Sequence, residues 1–128
     1  ASNSVIIETG DYANGFGIWI DSSNRVCWFS NTNYNNYASV NYTLPLNTWV
    51  MLTVTYDGVN VNLYANSTLI KATTLASNTN TANTRRMFNR TDGSSSYIGK
   101  IDEASFYNMA LTQSNINTLY NSGTGLTL

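Results

Sequence analysis

At 128 residues, 42% of them hydrophobic and 12% aromatic, the chain has enough apolar material to close one core and too little for two, so one domain over residues 1–128 is expected. Only 10% of residues are charged and the formal net charge is -1, which leaves no basic field to hold a nucleic-acid backbone. No apolar run approaches the ~20 residues of a membrane-spanning helix, and solubility falls to Asn, Thr and Ser, together about 40% of the chain, a balance suited to an extracellular or virion surface.

The first residues, Ala1 to Ser4, carry no Met and no signal-like pattern, and read as a processed or cut end. From Phe16 to Ile20, alternation puts Phe16, Ile18 and Ile20 on one face and Trp19 on the other, the period of a strand. Asp21-Ser22-Ser23-Asn24 reads as a turn. Val26 to Phe29 returns antiparallel with Val26 and Trp28 opposite Ile20 and Ile18, leaving Trp19, Cys27 and Phe29 on the reverse face. Cys27, the single cysteine, has no internal disulfide partner and is expected in the core or sheet. A polar loop follows from Asn31 to Ser39 and carries Tyr34 and Tyr37.

Trp49 to Tyr56 and Val61 to Ala65 flank Asp57-Gly58 as a hairpin, with Trp49 expected in the core. Leu69 and Ile70 begin another strand. The polar stretch from Ser77 to Ser96 has no hydrophobic period and reads as a loop, with room for a short strand around Met87 and Phe88. Tyr97 to Tyr107 is predicted to supply the last long strand or pair. A helix closes the chain, with Thr112 as N-cap, Ile116, Leu119 and Tyr120 on one face, and Gly123 as a left-handed C-cap. Many short strands and one terminal helix predict an all-β antiparallel sandwich.

Two segments resemble the laminin-G-like and pentraxin-like branch of the concanavalin A-like lectin and glucanase superfamily. The first runs from Leu46-Asn47-Thr48-Trp49 through Thr55-Tyr56-Asp57-Gly58 to Val61-Asn62-Leu63-Tyr64-Ala65-Asn66, and the second from Gly99-Lys100-Ile101-Asp102-Glu103 to Asn108, continuing to Gly123. The resemblance implies a jelly-roll β-sandwich with a short C-terminal helix. Members usually open with a further strand beside the C-terminal one, so the domain is expected either to lack that N-terminal segment or to have its sheet completed by a neighbouring chain or homo-oligomer. Members also commonly carry Asn-Gly where this chain has Asn66-Ser67, which implies a wider or differently shaped turn there.

Glycosidase chemistry requires two convergent carboxylates. The superfamily's glucanases carry Glu-x-Asp-x-x-Glu on one strand face, which nothing here matches: Glu8 and Glu103 are the two glutamates, and Asp102 and Glu103 are adjacent, so a strand would point them to opposite faces. With no histidine, a Ser-His-Asp triad and a His-ligated zinc site are excluded, and one cysteine offers no thiolate pair. The expectation is therefore no enzyme. The resemblance implies calcium as a cofactor, held by Asp102 in the family's Ile-Asp-Glu element and, less closely matched, by Asp11. The alternatives are a carboxylate that accepts loop N–H bonds at Asp102 and a solvated turn residue at Asp11.

Sugars are recognised by laying an apolar ring face on an aromatic side chain while amides and guanidinium groups take the hydroxyls. Tyr34 and Tyr37 among Asn31, Asn33, Asn35 and Asn36 make one candidate cluster, Arg85, Arg86 and Arg90 a second, and Trp19 stands ready on the reverse face of its strand. The alternatives are packing for Trp19, edge capping for the tyrosines and subunit contacts for the arginines. The leading expectation is a glycan-binding or receptor-binding domain of a secreted, adhesin or phage-fibre protein. The rival is a structural module of a viral particle or tail fibre that binds no sugar. Asn-x-Ser/Thr triplets at Asn41, Asn66 and Asn89 arise readily in so Asn- and Thr-rich a chain.

Overall fold

The structure is a computed structural model and describes residues 4–9, 16–30, 37–74, 85–88 and 96–125. The chain divides into two compact units, one of residues Ala1–Leu44 with Ser77–Asp102, the other of Pro45–Ala76 with Glu103–Leu128. Each holds one antiparallel sheet.

In the first unit the strands are β1 (Ser4–Thr9), β2 (Phe16–Ile20), β3 (Arg25–Ser30), β4 (Tyr37–Thr43) and β8 (Arg85–Met87), ordered β4-β3-β2-β1-β8. The expected β2–β3 hairpin forms in the expected register, Ile18 opposite Trp28 and Ile20 opposite Val26. Its turn is a short loop whose last residue, Asn24, has φ 60, a left-handed conformation that Asn tolerates better than most side chains. The Asp21 N–H donates to Arg25 O at 3.0 Å and the Asn24 N–H to Asp21 O at 2.9 Å. Asn24 also holds the end of β4: its side-chain amide donates to Leu44 O at 2.7 Å, and the Leu44 N–H donates back to Asn24 O at 3.0 Å. Val5, Ile20, Val26, Cys27 and Val40 form the buried apolar set. Cys27 is fully buried in β3, as its lone occurrence suggested.

The segment expected as a loop from Asn31 to Ser39 contains strand, and the short strand expected around Met87 and Phe88 forms slightly earlier, at Arg85–Met87. Tyr37 opens β4, and Arg85 and Arg86 lie in β8, paired with Thr9 and Glu8 of β1. Backbone bonds continue past β8, where the Phe88 N–H donates to Ile6 O at 2.9 Å and the Tyr97 N–H to Phe88 O at 2.8 Å. The Phe88 and Tyr97 rings stack with centroids 6.4 Å apart. Pairing with β1, not hydrophobic period, makes a strand of the arginine-bearing stretch.

The second unit holds β5 (Leu52–Tyr56), β6 (Asn60–Ala65) and β7 (Thr68–Thr74) in the order β5-β6-β7, followed by α1 (Gln113–Tyr120). Val61, Leu63 and Ala65 alternate along β6 and are buried, as is Ile116 of α1, each large apolar side chain contributing roughly 1.5–3 kcal/mol. Thr112 caps α1 as expected: its Oγ1 accepts the Asn115 N–H at 3.2 Å, and Asn115 Oδ1 accepts the Thr112 N–H at 3.0 Å. The left-handed C-cap is Asn121, φ 45, two residues earlier than the expected Gly123, which is itself left-handed in the turn that follows.

Three further expectations are corrected here. Residues 97–111 contain no helix or strand, and Ile98 is 95% exposed, so the strand expected from Tyr97 to Tyr107 is absent. An alternating pattern makes a strand only where a sheet edge accepts it, and no described strand pairs with these residues. Trp49 is 64% exposed and precedes β5, so it is not a core residue. The Asn66-Ser67 turn is not wide: Ala65 pairs directly with Thr68, and the two turn residues have φ 49 and 64, the tight turn in which both central residues are left-handed. Asn66 tolerates this because its Oδ1 accepts the Met51 N–H at 2.9 Å and its own N–H donates to Met51 O at 2.9 Å. Serine has no such compensation, and Ser67→Gly should stabilise the second unit by about 0.5–1 kcal/mol. A shift of the denaturant midpoint to higher concentration at unchanged m-value checks this, and a shift to lower concentration contradicts it.

The β5–β6 turn depends on a carboxylate. Asp57 Oδ1 accepts the N–H groups of Val59 and Asn60 at 2.9 and 2.6 Å, and Oδ2 accepts the Asn60 amide at 2.8 Å. The Asn60 side-chain bond first, then the Asn60 and Val59 backbone bonds, lower its pKa from 3.8 to about 2. Because the folded value lies below the unfolded one, this contribution to stability is fully present above pH 3.8 and is lost as pH falls through about 2. Titration of the Asp57 carboxyl carbon by NMR should give a midpoint near 2, and Asp57→Asn should flatten the acid limb of the stability profile.

Candidate functional site

The register of the five-stranded sheet decides which candidate residues meet. Because successive residues alternate faces, cross-strand partners share a face. One continuous row crosses all five strands: Arg86 of β8 pairs with Glu8 of β1, Glu8 with Gly17 of β2, Gly17 with Phe29 of β3, and Phe29 with Tyr37 of β4. One step along β2, on the same face, Trp19 pairs with Val5 on one side and Cys27 on the other. Trp19, Tyr37 and Arg86, drawn from three separate stretches of sequence, thus occupy one side of one sheet. Arg85 pairs with Thr9, one residue out of step, and takes the opposite side. Tyr34, Arg90 and Asp11 lie outside the described residues.

Three members of the row, Glu8, Gly17 and Phe29, are not among the expected site residues. Glu8 is 2% exposed, in a strand that otherwise reads as apolar and β-branched. A carboxylate inside such a run is the sequence signal that marks it, since burying an ionised group without compensation is costly. Gly17, also buried, sits at the centre of the row. Trp19 itself is half-buried.

Arg25 is engaged elsewhere. Its Nε and Nη2 donate to Asp21 Oδ2 at 2.8 and 2.7 Å, while Asp21 Oδ1 accepts the Ser23 and Arg25 N–H groups, both at 2.9 Å. Burial acts to raise the Asp21 pKa, but the Arg25 side-chain bond, the two backbone bonds and the Arg25 charge together bring it below the ordinary carboxylate value. That carboxylate and guanidinium serve the β2–β3 turn.

Asp102 is exposed, on the stretch without regular structure, and its neighbour Glu103 has φ 51. Among the described residues no group of three His, Cys, Asp or Glu side chains stands together as a metal cluster. No described helix is long and apolar enough to cross a membrane.

The family model described as the concanavalin A-like lectin/glucanases superfamily, a laminin-G-type model, matches residues 1–117. The chain belongs to this family. Two antiparallel sheets and one short C-terminal helix are consistent with the family's β-sandwich, and the expected fold class holds. Membership of a laminin-G-like family fits a non-catalytic binding domain. None of the curated proteins matches the chain. Among solved structures, an S-layer domain-containing protein from Clostridium thermocellum ATCC 27405 is similar at 18% identity and a TM-score of 0.49, the match covering 93% of this chain and 63% of that one. The chain therefore spans less than two thirds of that solved domain.

Proposed function

We propose that this laminin-G-like domain recognises carbohydrate on a secreted or surface-displayed protein. The observation that carries the reading is the row across the five-stranded sheet: an indole at Trp19, a phenol position at Tyr37 and a guanidinium position at Arg86 share one side. Aromatic rings take the apolar face of a pyranose, and a guanidinium takes its hydroxyls. Tyr34 and Arg90 extend the same proposal to the flanking segments. Trp19→Ala, Arg86→Ala and the Tyr34→Ala, Tyr37→Ala double variant should each weaken binding to a positive glycan by about tenfold or more, while exposed Lys100→Ala leaves it unchanged. Glycan-array screening followed by calorimetry measures this. No glycan bound by the wild-type chain, or equal affinity in all variants, would overturn the reading.

Calcium enters as a separate proposal through Asp102 and Asp11, whose carboxylates with loop carbonyls are the hard oxygen donors that ion takes. A melting temperature raised by calcium, lowered by chelator and indifferent to both in Asp102→Asn supports it. Identical wild-type melts in calcium and chelator reject it.

A second reading, a module whose surfaces contact other subunits, is favoured by the apolar side chains exposed in the second unit, among them Leu46, Trp49 and Phe106.

A further inference from the structure

The basic side chains divide sharply by structural setting. The sequence holds six: Arg25, Lys71, Arg85, Arg86, Arg90 and Lys100. Arg90 lies outside the described residues. Four of the other five sit in paired strands: Arg25 of β3 faces Thr43, Lys71 of β7 faces Leu63, and Arg85 and Arg86 of β8 face Thr9 and Glu8. Arg25 is held by Asp21 as well. Lys100 alone among the described basic residues stands outside a strand. It belongs to the stretch 97–111, which has neither helix nor strand. Residues 98–100 and 102–109 are all exposed, Ile98 by 95%, and neither Lys100 nor Ile101 takes part in the described backbone hydrogen bonds of turns and loops.

A trypsin-type endopeptidase selects Lys or Arg through an acidic pocket and must draw the chain around the scissile bond into its cleft. A residue in a sheet ladder leaves that ladder only by local unfolding, whereas exposed backbone outside any ladder is cut directly. We propose that the Lys100–Ile101 bond is a processing site for endopeptidases of this class. Water adds across the amide: its C–N bond breaks, the hydroxyl goes to the Lys100 carbonyl carbon and the proton to the Ile101 nitrogen. The chain crosses between the two units three times, after Leu44, Ala76 and Asp102. The cut severs the last crossing and the other two keep the units in one chain. Fragment 101–128 carries α1, whose Ile116 is fully buried and whose Gln113 donates to Ser67 O at 2.8 Å, so the fragment stays seated on the second unit. What the cut creates is a tethered arm, residues 101–111, with a new ammonium group at Ile101. The site is independent of the carbohydrate reading, which rests on the five-stranded sheet.

Limited digestion of the folded chain with trypsin, followed by mass spectrometry, should show the first cut after Lys100, with fragments 1–100 and 101–128 appearing together before any other. Lys100→Gln should slow the loss of intact chain by about tenfold or more, because cleavage at the strand residues waits for local unfolding. Lys71→Gln should leave the rate unchanged. Both side chains are exposed, so both variants should keep the wild-type circular dichroism spectrum. The nicked chain should elute with the intact chain on size exclusion and separate into two fragments only in denaturant. A first cut at Arg90 or at a strand residue, a Lys100→Gln chain digested at the wild-type rate, or fragments that part in native buffer would each overturn the proposal.

Discussion

The register of the five-stranded sheet is set at one turn, and the candidate site depends on it. Asp21 accepts two N–H groups across that turn and holds Arg25 through two guanidinium bonds, while Asn24 supplies the left-handed residue that closes it. A slip of one residue between β2 and β3 would send every side chain to the other face, separating Trp19 from Cys27 and Phe29 from its place beside Gly17. The same Asn24 ties down the end of β4, so the strand bearing Tyr37 is placed by the turn that places Trp19. Buried polar groups here fix geometry, and the row of candidate residues follows from it.

The second unit uses the same device with a different balance. Asn66 turns the chain and at the same time binds both backbone groups of Met51, so the β6–β7 turn also fixes the residue that leads into β5. Gln113 of α1 donates to Ser67 O at 2.8 Å, which brings the helix start to that turn. The buried set is small, centred on Val61, Leu63, Ala65 and Ile116, and large apolar side chains remain outside it. A unit so organised has turns well specified by side-chain amides.

These two arrangements divide the work that a binding domain must do. One sheet places aromatic and charged positions on a common side. The other leaves large apolar side chains exposed, among them Leu46, Trp49 and Phe106. The scarcity of charge leaves neither sheet dominated by a field of one sign.

The sequence by itself determined the hairpins and the helix. Alternation at Phe16–Ile20 and Val26–Phe29, the Asp57-Gly58 turn and the Thr112 cap are local signals, and local hydrogen bonds and pleat geometry are enough to read them. It also determined the family, because the matched motifs are contiguous stretches. Only the tertiary structure decided what depends on distant partners. Arg86 became a strand residue because β1 was there to pair with it, and Glu8 acquired its place because burial is a property of the assembled sheet. The stretch from Tyr97 to Tyr107 failed to become a strand for the converse reason: its pattern is that of a strand, and a strand exists only by the edge it joins. Trp49, apolar enough for any core, stayed exposed because composition sets a preference for burial and only packing supplies the place.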